Sequence, residues 1–180
     1  MRFGITSAAL VAVLMAVASA AQAQTVVILP DTSQTTMMTA VVSEQARVIV
    51  PASVTFNVAD VTSATTAAAA TVTVDGIVLA TATKQLQVSI QAGAASFAPA
   101  AGGATWAASD VSWNAPAWTN ATGAAGTLSA ASFDAVATCD PGVSDCSTTG
   151  LVFALGANPS VQRSGNHTLT VTWKFEAIGS

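Results

Sequence analysis

Alternation of apolar and polar positions dominates the second half of the chain. His167, Leu169, Val171, Trp173 and Phe175 share one face, while Thr168, Thr170, Thr172, Lys174 and Glu176 share the other. A period of two, sustained and rich in β-branched and aromatic types, predicts a half-buried strand. The pattern recurs at residues 84–91, where Leu86, Val88 and Ile90 oppose Gln85, Gln87 and Ser89. It recurs again at 150–155, through Leu151, Phe153 and Leu155, and at 53–58, through Val54, Phe56 and Val58. Residues 47–50 form a further apolar run. Pro51 separates it from 53–58, and a proline has no N–H for a ladder, so it marks an edge or a crossing between sheets.

Residues 71–74 and 77–79 flank Asp75-Gly76. That dipeptide between β-branched runs predicts a type I′ hairpin, with a bulge inside one long strand as the competing reading. Residues 127–138 carry a weaker strand signal. Residues 92–110 are Ala/Gly-rich and read as a long loop, and the four alanines within 59–70 leave room for one helical turn. No amphipathic helical stripe follows the N-terminal segment. The fold class is therefore all-β: an immunoglobulin-like β-sandwich of about seven to nine strands with an N-terminal extension. Its expected core holds Phe56, Leu86, Val88, Ile90, Phe153, Val171 and Trp173.

The N-terminal 23 residues carry a different pattern. One positive charge at Arg2 precedes an apolar run over residues 5–20, and Ala21-Gln22-Ala23 supplies a small-x-small cleavage signature. This predicts a signal peptide over residues 1–23 and a secreted or cell-surface protein of bacterial type. No later run has the length and apolar character of a membrane span, so none is expected after cleavage. Residues 24–44 form the extension and residues 45–180 the sandwich domain. The extension has two short apolar patches, Val26, Val27, Ile28 and Leu29, then Met37, Met38, Val41 and Val42, and it lacks Lys and Arg. Either it adds a strand to its own domain or it pairs with a neighbour.

Composition narrows the chemistry. Among 180 residues there are 5 Lys+Arg, 9 Asp+Glu and 1 His, a net charge of −4. Binding nucleic acid needs clustered cations, so no nucleic-acid partner is expected. A single His with scattered acids does not assemble a hydrolytic site, and no Gly-x-Ser-x-Gly elbow is present, so the chain is expected not to be an enzyme and to need no cofactor or metal. His167 starts the best strand on its apolar face, which suits packing or turn capping. Cys139 and Cys146 are expected to close a short disulfide loop after export. A calcium loop through Asp140, Asp145 and Asp134 is the sharper alternative, although the spacing is not that of a calcium-binding loop. Trp106, Trp113 and Trp118 read as core or corner packing, or else as an aromatic platform for a surface polysaccharide. Asn120 and Asn166 sit in sequon-like triplets that read as turns.

Two ends carry a resemblance. Val50-Pro51-Ala52-Ser53-Val54-Thr55-Phe56 and Gly165-x-His167-x-Leu169-x-Val171-x-Trp173 resemble the opening and closing strands of pilin-like fimbrial subunits. The resemblance implies a sandwich that lacks one strand and receives it from the extension of the next subunit, a mode of strand addition. The chain departs from that family in its closely spaced cysteines and in lacking an aromatic residue at the very C-terminus. The expected function is an exported structural subunit of a surface or extracellular filament, forming homo-oligomers by β-strand addition through residues 24–44. The alternative is a monomeric secreted carbohydrate-binding or adhesin module using the Trp cluster.

Overall fold

The computed structural model describes residues 35–99 and 102–179. Residues 1–23, expected to be a signal peptide, and the first apolar patch, Val26, Val27, Ile28 and Leu29, lie outside the described residues. The chain divides into two units, residues 1–40 and residues 41–180.

The second unit is an all-β sandwich. Its strands are β1 (Gln45–Ile49), β2 (Thr65–Thr66), β3 (Ala70–Val78), β4 (Gln85–Ala92), β5 (Val111–Trp113), β6 (Ala121–Gly123), β7 (Gly126–Thr127), β8 (Asp134–Cys139), β9 (Asp145–Leu151), β10 (Phe153–Leu155) and β11 (Val171–Ile178). They form three antiparallel sheets, in the orders β1-β3-β9, β2-β10-β5-β7 and β11-β4-β8-β6. The first two sheets are joined end to end, because only Val152 separates β9 from β10. Both pack against the third sheet. The main core takes Val72 and Leu151 from the first sheet, Val111, Trp113, Phe153 and Leu155 from the second, and Ile90, Ala92 and Val136 from the third.

The expected sandwich is thus present, with more and shorter strands than the sequence suggests and three sheets in two layers. Two expectations change. The Asp75-Gly76 hairpin does not form. Instead β3 runs straight through it, and Gly76 takes a positive φ of 59°. Gln45 pairs with Val78 but Arg47 with Asp75, so β3 holds one extra residue there, a bulge that glycine accommodates without a Cβ penalty. The interval 59–70 forms no helix: it holds the two-residue strand β2, and the four alanines after it lead into β3.

The disulfide Cys139–Cys146 forms as expected, with a Cα–Cα distance of 5.8 Å. It ties the end of β8 in the third sheet to the start of β9 in the first. Both cysteines are buried in a second core cluster with Val74, Leu86 and Val88. Asp134, Asp140 and Asp145 are not drawn together around this loop. Among the described residues no group of three or more His, Cys, Asp or Glu side chains is close enough to hold a metal ion.

Candidate functional site

Of the expected core residues, Leu86, Val88, Ile90 and Phe153 are buried, whereas Phe56, Val171 and Trp173 are only partly so. The three exceptions have one cause. They line a groove of about 980 Å³ that opens along one side of the sandwich.

The groove is built by two extended segments over an apolar floor. One wall is residues 51–58. Val54, Phe56 and Val58 alternate as a strand would, yet none of residues 51–58 belongs to a strand. None makes a backbone–backbone hydrogen bond among the described residues. The alternation was legible in the sequence; the missing partner was not. The other wall is residues 167–173, which runs into β11. β11 pairs with β4 on one side and stands at the edge of its sheet on the other. Upstream, Thr168 exchanges both backbone hydrogen bonds with Ala98, and the Thr170 carbonyl accepts from the Gly93 N–H. Backbone groups along a strand point alternately to either side, so His167, Leu169 and Val171 turn theirs toward the open edge. The floor includes Val111, Leu128, Phe153 and Leu155.

Each wall thus presents unpaired backbone donors and acceptors, and both frame apolar side chains. That leaves an open strand edge beside an apolar groove. An extended segment laid between the walls would satisfy a row of backbone groups and cover Phe56, Leu169, Val171 and Trp173 together.

His167 stands at the rim. Its Nδ1 lies 2.8 Å from Thr105 Oγ1 and its Nε2 lies 3.3 Å from the Arg163 carbonyl. The ring meets the Trp106 indole edge to face at 5.3 Å. These contacts make His167 a packing and turn-fixing residue at the head of the wall.

The second apolar patch of the extension is described, and it is bare. Met37 is 89% exposed, Met38 92%, Val41 90% and Val42 69%, and none lies in a strand. Soluble proteins seldom leave four large apolar side chains within six residues in water unless something covers them. Just after this patch Glu44 is anchored. Its Oε1 accepts hydrogen bonds from the Ala80 N–H at 2.7 Å and from Lys84 Nζ at 3.0 Å.

The three clustered tryptophans do not make a shared surface. Trp106 and Trp113 are 4% and 3% exposed, and their indole N–H groups donate to the carbonyls of Gly156 and Ala124. Trp118 is partly buried against both core clusters, and its Nε1 has no hydrogen-bond partner among the described residues. Their faces are used inside the domain, with the N–H groups of Trp106 and Trp113 satisfied in the way buried indoles require.

No protein-family model, no curated protein and no solved structure matches this chain.

Proposed function

We propose that this chain is an exported structural subunit of a surface or extracellular filament, and that its sandwich is completed by an extended segment donated from another copy. One observation carries the reading. An apolar groove, walled on one side by an extended segment without backbone partners and on the other by a strand whose outer edge is unpaired, occurs in the same molecule as an exposed apolar extension. Covering about 300 Å² of apolar groove and strand at about 25 cal/mol per Å² gives on the order of 8 kcal/mol, before the entropy of ordering the segment is subtracted. The low charge of the chain helps, since packed copies repel one another weakly.

A leader over residues 1–23 fits this role, because such a subunit acts outside the cell, where the Cys139–Cys146 bond is stable. The alternative, a sugar-binding module built on Trp106, Trp113 and Trp118, loses its support, because two of those rings are buried.

Deleting residues 24–44 tests the reading. The full mature chain is expected to form concentration-dependent oligomers or fibres, and the shortened chain to remain a monomer with a lower melting temperature. A full chain that stays monomeric and melts like the deletion variant would count against it.

A further inference from the structure

We propose that the outer edge of β1, prolonged by residues 41–44, pairs antiparallel with the same edge of a second copy about a two-fold axis at Gln45, and that this contact joins neighbouring filaments side by side. The pairing does not use the groove; only its role between filaments rests on the reading above.

The edge is open and poorly defended. β1 pairs with β3 on one side and is the last strand of its sheet on the other. Neither turn nor bend interrupts residues 41–50, and residues 41–44 make no backbone–backbone hydrogen bond among the described residues. Proteins usually blunt such an edge with lysine, proline or a bulge in the edge strand. Residues 41–49 contain neither lysine nor proline, and the bulge at Gly76 lies in β3, behind the edge. The one cation of β1, Arg47, is committed to Asp75 at 2.7 Å. Val48 and Ile49 are 41% and 62% exposed, Val41 and Val42 are more exposed still, and Val78, the β3 partner of Gln45, is exposed beside them.

The pattern of the segment names its occupant. Val41-Val42-Ser43-Glu44-Gln45-Ala46-Arg47-Val48-Ile49 has two apolar residues at each end and a polar middle, and it reads alike in both directions about Gln45. Antiparallel pairing about that centre brings Val41 to Ile49 of the other copy and Val42 to its Val48, twice over by symmetry. Ser43 meets Arg47, Glu44 meets Ala46, and Gln45 meets itself. Such self-complementarity is what an isologous contact requires. No like charges stand directly opposite. The two Glu44 side chains are diagonal neighbours, and each is held by its own Lys84. With one anion and one cation in the segment, the two edges approach without net repulsion.

Size sets the role. Residues 41–49 give nine residues a side, less than half the roughly 20–30 of a standard stable interface. A single contact is therefore transient, and isolated subunits sediment as monomers. Along two filaments the contact repeats, and linked contacts act together far more strongly than one alone.

Disulfide trapping tests the pairing in the Leu169→Lys chain from residue 24 onward, where groove filling is blocked. The two native cysteines are joined to each other, so an introduced thiol stands alone. Gln45, Ser43 and Arg47 are all exposed, and melting under reducing conditions checks each variant's fold. Gln45→Cys is expected to give a reducible dimer on mild oxidation at high protein concentration. Ser43→Cys and Arg47→Cys should dimerise poorly alone and well when mixed. Two copies of Ser43 would lie about 13 Å apart along the strands, beyond the roughly 7 Å that a disulfide spans between Cα atoms. Dimers formed best by Ser43→Cys or Arg47→Cys alone would overturn the register, and no dimer from any variant would overturn the pairing, even where the unmodified chain forms fibres. In electron micrographs, unmodified filaments should lie side by side and Ile49→Lys filaments should stay single; equal bundling would overturn the lateral role. An unmodified chain that forms no filament would remove that role together with the reading above, while the Gln45→Cys result still decides the pairing.

Discussion

Lys84 Nζ lies 3.0 Å from Glu44 Oε1, closing a contact between the root of the extension and the turn that follows β3. The Ala80 N–H first, and the Lys84 ammonium beside it, hold the Glu44 carboxyl below the usual glutamate range. A lowered folded-state value means that the ionised form is favoured by folding. Its contribution is complete above the unfolded-state value and is lost as pH falls through the lower, folded one. Thermal melts of the wild type and Glu44→Gln should therefore differ at neutral pH. The difference should shrink only in acid below the ordinary glutamate range. A gap that persisted unchanged into strong acid would show that the charge of Glu44 is not what holds this contact.

Gly126 lies under the indole of Trp113, where a Cβ would overlap the ring carbons. Trp113 is buried and its N–H is committed to Ala124, so the ring has no free space into which to move. Gly126→Ala is expected to destabilise the domain by about 1–3 kcal/mol, the usual cost of overpacking a core. Urea unfolding followed by tryptophan fluorescence measures it directly.

The disulfide spans 7 positions and links the two layers of the sandwich. Closing so short a loop in the unfolded chain corresponds to about 2–3 kcal/mol in the chain-entropy model. Replacing both Cys139 and Cys146 by Ala should lower stability by at least that amount, because two buried side chains are also trimmed. Groove-dependent assembly of the folded fraction should persist, since the bond lies in the other core cluster, and sedimentation below the melting temperature separates the two effects.

Leu169 lines the groove but is only partly buried, so a long charged side chain there can reach water in the monomer. Leu169→Lys is expected to cost the monomer about 1 kcal/mol or less, and to stop strand addition because the incoming segment would bury an unpaired ammonium. The corresponding change on the strand, Met38→Lys, should abolish donation while leaving the groove able to accept a wild-type segment. Mixing the two variants should yield dimers that go no further, which native gel electrophoresis resolves.

Much of the fold was legible in the sequence. β4 and β11 follow from alternation because both have paired neighbours and one face on the core. The segments at 53–58 and 167–170 carry the same alternation without becoming full strands. Periodicity reports which side chains seek an interior; it does not report whether a neighbouring backbone is there to bond. Phe56, Val171 and Trp173 were read as core for that reason; they pack against the main core but stay only partly buried, where they line the groove. The bulge at Gly76 was one of two readings left open, because Asp-Gly serves a tight turn and a left-handed strand residue equally well. The Trp cluster was ambiguous for a related reason: its burial depends on contacts such as Trp113 with Gly126 and Trp106 with Gly156, of which the second is remote in sequence.

Sedimentation velocity of the chain from residue 24 onward across a wide concentration range, run beside Leu169→Lys, tests the groove most directly. A series of growing species in the wild type, reduced to a single monomer in the variant, is the expected result. A wild type that remains monomeric at every concentration, or a variant that assembles as well as the wild type, would contradict it.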